Sequence, residues 1–344
     1  AKAGADGKWS VKLAPLAAAG PHTLTVKGQN TVTFSDVLVG EVWLGSGQSN
    51  MAMQVSRAKN FEQEQTAAKH PQLRMFTEAS PNSPTAQFTG KGEWVVCSPE
   101  TVGRFSATAY FFGREIHQAL GVPVGLIHSS VGGTPIESWI APETQQSAPE
   151  LKAFSEVLEK TARPVDPAQA KAKFEADLAK WQEAVKQAKA DGKPAPKRPQ
   201  DPTALAERKS NVGGLFNGKI SPLIPYAIRG ALWYQGEANT SAEKAPFYAA
   251  QLRLLVTDWR ARWGYEFPFA WVQLPNFGAP PGRDGPAVRE AMLKTLSLPN
   301  TGMAITIDLG EEKDIHPKNK QDVGRRLAAW ALGTVYGQKV ATSG

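Results

Sequence analysis

Five short, mostly apolar runs recur along the chain, and they restrict the fold more than any other feature. They occupy residues 37–44, 122–128, 228–234, 267–274 and 302–307, and polar or glycine residues follow each of them. Runs of this length without polar alternation are those of strands buried on both faces. Helical patterns over 107–120, 247–263 and 320–332 separate several of them. Strand, helix and strand in repetition predict an α/β domain with a parallel sheet covered on both sides.

Two segments depart from that rhythm. Residues 1–38 read as β, with Trp9, Val11 and Leu13 alternating with polar residues, then 22–26 and 30–34 doing the same. Three strands cannot close a sandwich, because their edges stay unpaired. This segment is therefore expected to be part of a β-domain that starts upstream, or a small sheet leaning on the main domain, with the α/β domain spanning 39–344. The second departure is an insertion over 149–210. Within it Phe174, Leu178, Trp181, Val185 and Ala188 recur at helical spacing, which draws one apolar stripe along a helix. Asp191-Gly192-Lys193-Pro194 ends the pattern, and Pro194, Pro196, Pro199 and Pro202 make a stiff exit. A helical hairpin packed outside the domain is expected.

Composition narrows the function. The 344 residues carry a formal charge of +7. Thirteen basic and nine acidic residues fall within 151–210, so more than half of the excess belongs to the insertion. There they alternate in sign along a helix, as on a solvated face, whereas a nucleic-acid groove interleaves basic and aromatic residues. No nucleic-acid partner is expected. The single Cys97 excludes an intrachain disulfide and a cysteine-based zinc site. No apolar run reaches the ~18 residues of a membrane span, so no membrane partner is expected either. The sequence does not give the oligomeric state.

Open parallel sheets bind ligands beyond the carboxyl ends of their strands. The residues there are Gly47-Gln48-Ser49-Asn50-Met51, Ser129-Ser130-Val131-Gly132-Gly133-Thr134, Gln235-Gly236-Glu237-Ala238-Asn239, Asn276, and Asp308 followed by Asp314-Ile315-His316-Pro317. Of the five histidines, His22 lies on a strand, His70 precedes Pro71, His117 is inside a helix and His128 ends an apolar strand. His316, in a loop, is the one placed to carry protons. A hydrolytic nucleophile needs a hydroxyl, a base and an acid to orient the base. Ser49, His316 and Asp314 or Asp308 supply them. Gly132 and Gly133, with Thr134 as a helix cap and Pro135 after it, offer backbone donors for an oxyanion, and the Gln235 amide offers another. The G-x-S-x-G elbow of α/β-hydrolases is excluded, since Met51 stands where its second glycine belongs.

Four blocks in this order resemble the sialate O-acetylesterases, within the SGNH hydrolases. They are 40–51 (GEVWLGSGQSNM), 125–134 (GLIHSSVGGT), 233–237 (WYQGE) and 314–317 (DIHP). The resemblance runs from about residue 20 to 332 and extends to the Lys/Ala-rich insertion. It implies a three-layer, flavodoxin-like α/β domain preceded by β-sandwich sequence, and a serine esterase that removes O-acetyl groups from carbohydrate. By matching position it implies Ser49 as nucleophile, His316 as general base and Asp314 as its acid. Ser49, Gly132 or Gly133, and Gln235 would hold the oxyanion. The superfamily's acid usually stands three residues before the histidine, where this chain has Lys313, so Asp308 and Glu237 remain alternatives. Asn50, Asn276, Arg289, Phe277 and Trp139 are candidate substrate contacts. No metal or cofactor is implied. Acetylated carbohydrate is the expected partner, with acetylated xylan or another hemicellulose as the alternative substrate and a non-catalytic sugar-binding protein as the rival class. Glycan deacetylation points to a periplasmic or secreted protein.

Overall fold

The computed structural model describes residues 1–161, 166–191, 195–196, 198–199, 212–224 and 226–342. Its centre is a seven-stranded sheet. Strands β1 (Ala19–Lys27) and β2 (Thr31–Val39) stand apart as an antiparallel pair. The sheet contains β3 (Glu41–Gly47), β4 (His70–Thr77), β5 (Trp94–Cys97), β6 (Val124–Ser130), β7 (Gly230–Tyr234), β8 (Phe269–Val272) and β9 (Thr301–Ala304). Their spatial order is β5-β4-β6-β3-β7-β8-β9, all parallel except the β5 edge. A short α1 (Ser49–Ala52) follows β3, and α2 (Phe61–Ala67) precedes β4. The larger covering helices are α3 (Ala107–Leu120), then beyond α4 (Pro142–Ser147), α5 (Lys152–Thr161) and α6 (Pro167–Ala190) come α7 (Tyr248–Trp263), α8 (Gly285–Thr295) and α9 (Lys320–Thr334).

Adjacent residues of each strand face opposite sides, and here both sides are apolar. Trp43, Leu126, Leu232 and Ala270 pack with Phe111, Phe112 and Leu327 of α3 and α9. Their neighbours Leu44, Ile127, Trp233 and Trp271 pack with Leu255, Trp259 and Val288 of α7 and α8. The protein is thus a three-layer α/β fold with two cores. Local signals set the helix ends: the Ser106 hydroxyl accepts the Ala109 N–H at the start of α3, and Gly121, at φ +65°, ends it.

Strand order agrees with the flavodoxin expectation, with an addition at one edge. Numbered along the chain, β6-β3-β7-β8-β9 lie in the order 2-1-3-4-5, and β4 and β5 extend the sheet beyond β6. The chain lays down β4 and then β6, nearer to β3, on one side of β3, and crosses to its other side with β7, so the switch point falls at the end of β3. A crevice opens there, and Ser49 lies two residues past β3.

Two expectations change, and the insertion follows its pattern as far as it is described. No strand forms at Trp9–Leu13; these side chains are exposed, and the first strand begins at Ala19. The 37–44 run divides at Gly40: its first three residues complete β2, and Glu41 to Leu44 open β3. In the insertion, Phe174, Leu178, Trp181, Val185 and Ala188 form the half-buried stripe of α6, and Trp181 Nε1 donates to Pro196 O at 2.8 Å. The second arm of the expected hairpin, with Pro202, lies outside the described residues, as do Gly192-Lys193-Pro194.

Candidate active site at the carboxyl edge

Ser49 is the first residue of α1, half-buried directly beyond β3. It is held from the backbone, since Gln48 N–H donates to Tyr234 O at 2.9 Å and Gln48 O accepts from Met51 and Ala52. The helix cap is Gln48, without a side-chain bond, so Ser49 has no capping role. The turn after β6 comes close: a Cβ built on Gly132 would stand 3.5 Å from the Ser49 Cβ. Gly133 takes φ +74°, which bends the turn. Thr134 does not begin a helix. Its hydroxyl donates back to Val131 O at 2.7 Å and accepts Trp139 Nε1 at 3.0 Å, and a short 3-10 turn follows.

The histidine loop closes the other side. His316 N–H donates to Asp314 Oδ1 at 2.9 Å, and the same oxygen lies 3.6 Å from His316 Nδ1. That separation is too long for a hydrogen bond, so the carboxylate lies beside the ring and holds the loop through the backbone N–H. Asn50 joins the loop to the helix that begins at Ser49: its Nδ2 donates to Ile315 O at 3.0 Å and to Glu237 Oε1 at 2.5 Å. Ser49 and His316 are each next in sequence to one end of that bond. Burial raises the pKa of the Glu237 carboxyl above its ordinary value. Glu237 Oε2 is buried and has no hydrogen-bond partner among the described residues.

Several expected roles move. Gln235 is fully buried, and its Nε2 is spent on Asn239 Oδ1 at 2.8 Å and on Gln48 Oε1 and Thr134 O, both at 3.2 Å. It braces the site from behind rather than facing an oxyanion. Asp308 is exposed and grips Arg326 through both oxygens, each at 2.6 Å, which holds its carboxyl down at about 2. Asn50, expected to meet substrate, is fully buried and committed to protein partners. Trp139 is fully buried in the core beneath α7 and is closed to a sugar. His128 is a core histidine as expected: burial pushes its imidazole down to about 4, and Nε2 meets Ser130 Oγ at 2.5 Å.

A cavity of about 480 Å³ adjoins Glu237 and Ile315. Leu274, Phe277 and Pro280 give it apolar walls, and Asn276, Arg283 and Arg289 add polar groups. Among the described residues, no group of three or more His, Cys, Asp and Glu side chains is gathered to hold a metal ion.

Two residues escaped the sequence reading. Gln48, beside Ser49, has its Oε1 fixed by the backbone N–H of Ala238 at 3.2 Å as well as by Gln235. A backbone N–H only donates, so this amide must turn its NH₂ the other way. Lys320 is fully buried and donates to Asn50 Oδ1 at 2.6 Å. Neither stands out in sequence, since one is a glutamine in a loop and the other a lysine after a charged stretch.

Fold and site together define a three-layer α/β protein whose serine, glycine and histidine loops meet at the carboxyl edge of a largely parallel sheet. The particular family follows from comparison. The family described as "Carbohydrate esterase, sialic acid-specific acetylesterase" matches residues 39–187 and 217–332, and the chain belongs to it. Mouse sialate O-acetylesterase is 29% identical over 97% of this chain, and the rat protein 30% over 98%. The chain spans 64% and 65% of the length of these two relatives. A crystal structure of a carbohydrate acetylesterase from Xanthomonas citri superposes with a TM-score of 0.78 at 33% identity, over 98% of this chain and 67% of that one.

Proposed function

We propose that this chain carries the catalytic centre of a serine-dependent carbohydrate O-acetylesterase of SGNH type. The observation that carries this reading is the Asn50–Ile315 hydrogen bond, which ties the helix starting at Ser49 to the loop ending in His316. Family membership supplies the substrate class, and the relatives' names favour O-acetylated sialic acid over acetylated xylan.

Ser49 Oγ attacks the acetyl carbonyl while His316 takes its proton, and Asp314 steadies the imidazolium by charge and fixes the loop through the His316 N–H. The tetrahedral oxyanion rests on the Ser49 and Gly132 backbone amides and on the Gln48 NH₂. His316 then protonates the departing sugar hydroxyl. Water, deprotonated by the same imidazole, releases acetate from the acetyl-enzyme. The sugar occupies the cavity beside Ile315, where Phe277 offers an aromatic face and Arg289 a guanidinium.

Two measurements test the reading. The purified chain is expected to hydrolyse p-nitrophenyl acetate and to release acetate from O-acetylated sialic acid faster than from acetylated xylan. A serine-directed phosphonate is expected to stop turnover with one mass increment on the peptide containing Ser49. Labelling elsewhere, or turnover that persists after labelling, defeats it. The donor assignment has its own test. Gln48→Leu is expected to lower kcat by about 10²-fold with KM little changed, the loss typical of one oxyanion donor. A kcat within threefold of the parent protein returns that role to other groups.

A further inference from the structure

We propose that Lys320 is a positioning residue that, acting through Asn50, sets the geometry between the Ser49 helix and the His316 loop. This rests on the esterase reading above.

Lys320 opens α9 just after the Asn319 cap, and it has no exposed surface. Its Nζ donates to Asn50 Oδ1 at 2.6 Å and stands 5.0 Å from the centre of the Tyr234 ring. An ammonium has donors and no acceptor, so Asn50 must turn its oxygen toward it. The two Nδ2 hydrogens then point away and meet two groups that accept, Glu237 Oε1 at 2.5 Å and Ile315 O at 3.0 Å. A flipped amide would set NH₂ against the ammonium and an oxygen against two acceptors. All three contacts would become repulsive. Lys320 is thus the residue that selects the amide orientation, and that orientation makes the bond from the Ser49 helix to the His316 loop.

Packing alone does not explain a lysine here. Removing an ammonium from water costs several kcal/mol even after relaxation, and a methionine fills a similar volume without that cost. Burial brings the Lys320 ammonium down to about 7 despite the nearby negative charges of Glu237, Glu311 and Asp314. A buried cation that touches the residue beside the nucleophile, and opposes a carboxylate across the same amide, fits selection for geometry rather than stability.

A double-mutant cycle on the purified full chain, read as p-nitrophenyl acetate hydrolysis, tests this. K320M is expected to lower kcat 10- to 100-fold with KM within twofold of the parent and an undiminished folded fraction by circular dichroism. N50A is expected to cost about as much, and K320M is expected to add nothing in the N50A background, because a residue acting through another is silent once the other is gone. K320Q keeps a donor without the charge and is expected to recover most of the loss. Where K320M fails to fold, N50D carries the test: it puts an oxygen against Ile315 O and is expected to lower kcat at least 10-fold. A parental kcat in K320M or N50D, or losses that multiply in the double variant, overturns the proposal while S49A remains inactive. Turnover that survives S49A, or none by the parent protein, overturns the esterase reading and this inference together.

Discussion

Ser49→Ala is expected to lower kcat for acetyl esters by about 10⁴- to 10⁶-fold, the range seen when a serine hydrolase loses its nucleophile, with no change in the thermal melt. The second half of that expectation is as informative as the first. A serine beginning a helix often caps it, and alanine there costs about 1 kcal/mol. Here the cap position is Gln48 and carries no side-chain bond, while the backbone is anchored by Gln48 N–H on Tyr234 O. Removing one hydroxyl therefore leaves the scaffold in place. Steady-state kinetics and a melting curve on the same sample check both parts. Turnover within tenfold of the parent would show that the hydroxyl is not the nucleophile.

Gly47→Ala is expected to have the largest effect on stability, a loss of about 3–5 kcal/mol that places it among the exceptional single substitutions. Gly47 ends β3 at φ +137°, a conformation side chains rarely adopt, directly opposite Tyr234 of β7. A Cβ there would stand 2.2 Å from Tyr234 O and 2.9 Å from Tyr234 N. These are backbone atoms of a central strand, so relief requires β3 and β7 to part. Activity should fall with stability, because Ser49 follows two residues later. Gly132→Ala serves as the control: its added methyl would meet nothing nearer than 3.5 Å. Denaturant midpoints for both variants check the contrast. A Gly47→Ala protein as stable as Gly132→Ala would mean that the two strands are not so closely joined.

Much of the architecture could be read without coordinates, for definite reasons. Helix α3 spans 107–120 as its pattern indicates, because a serine cap and a terminal glycine bracket it. The central strands follow their apolar runs, since burial on both faces leaves no room for polar residues. Edge elements escaped for the opposite reason. Strand β4 carries Gln72 and Arg74 among its apolar residues, and β5 is four residues long with Trp94 exposed on the sheet's edge. At Trp9–Leu13 the alternation misled, because strand propensity yields a strand only where a partner strand exists to take the hydrogen bonds.

The candidate site divides in the same way. Ser49 and Gly132 each lie two residues past strands whose ends were legible, the loop of Asp314 and His316 comes after β9, and the structure brings those loops to one edge. The roles of amides and charges were not legible. Gln235 and Gln48 are the same residue type, each just past one of two paired strands, and which one is sealed behind the site depends on contacts with Asn239 and Ala238. Asp308 reads as a candidate acid until Arg326 is seen to occupy both of its oxygens. Sequence by itself determined the alternation of strand and helix and the polar strand ends, because hydrophobic periodicity and turn chemistry act over a few residues. Only tertiary structure decided which polar groups are spent on one another and which stay open, because a hydrogen bond depends on partners such as Asn50 and Lys320, 270 residues apart in the chain.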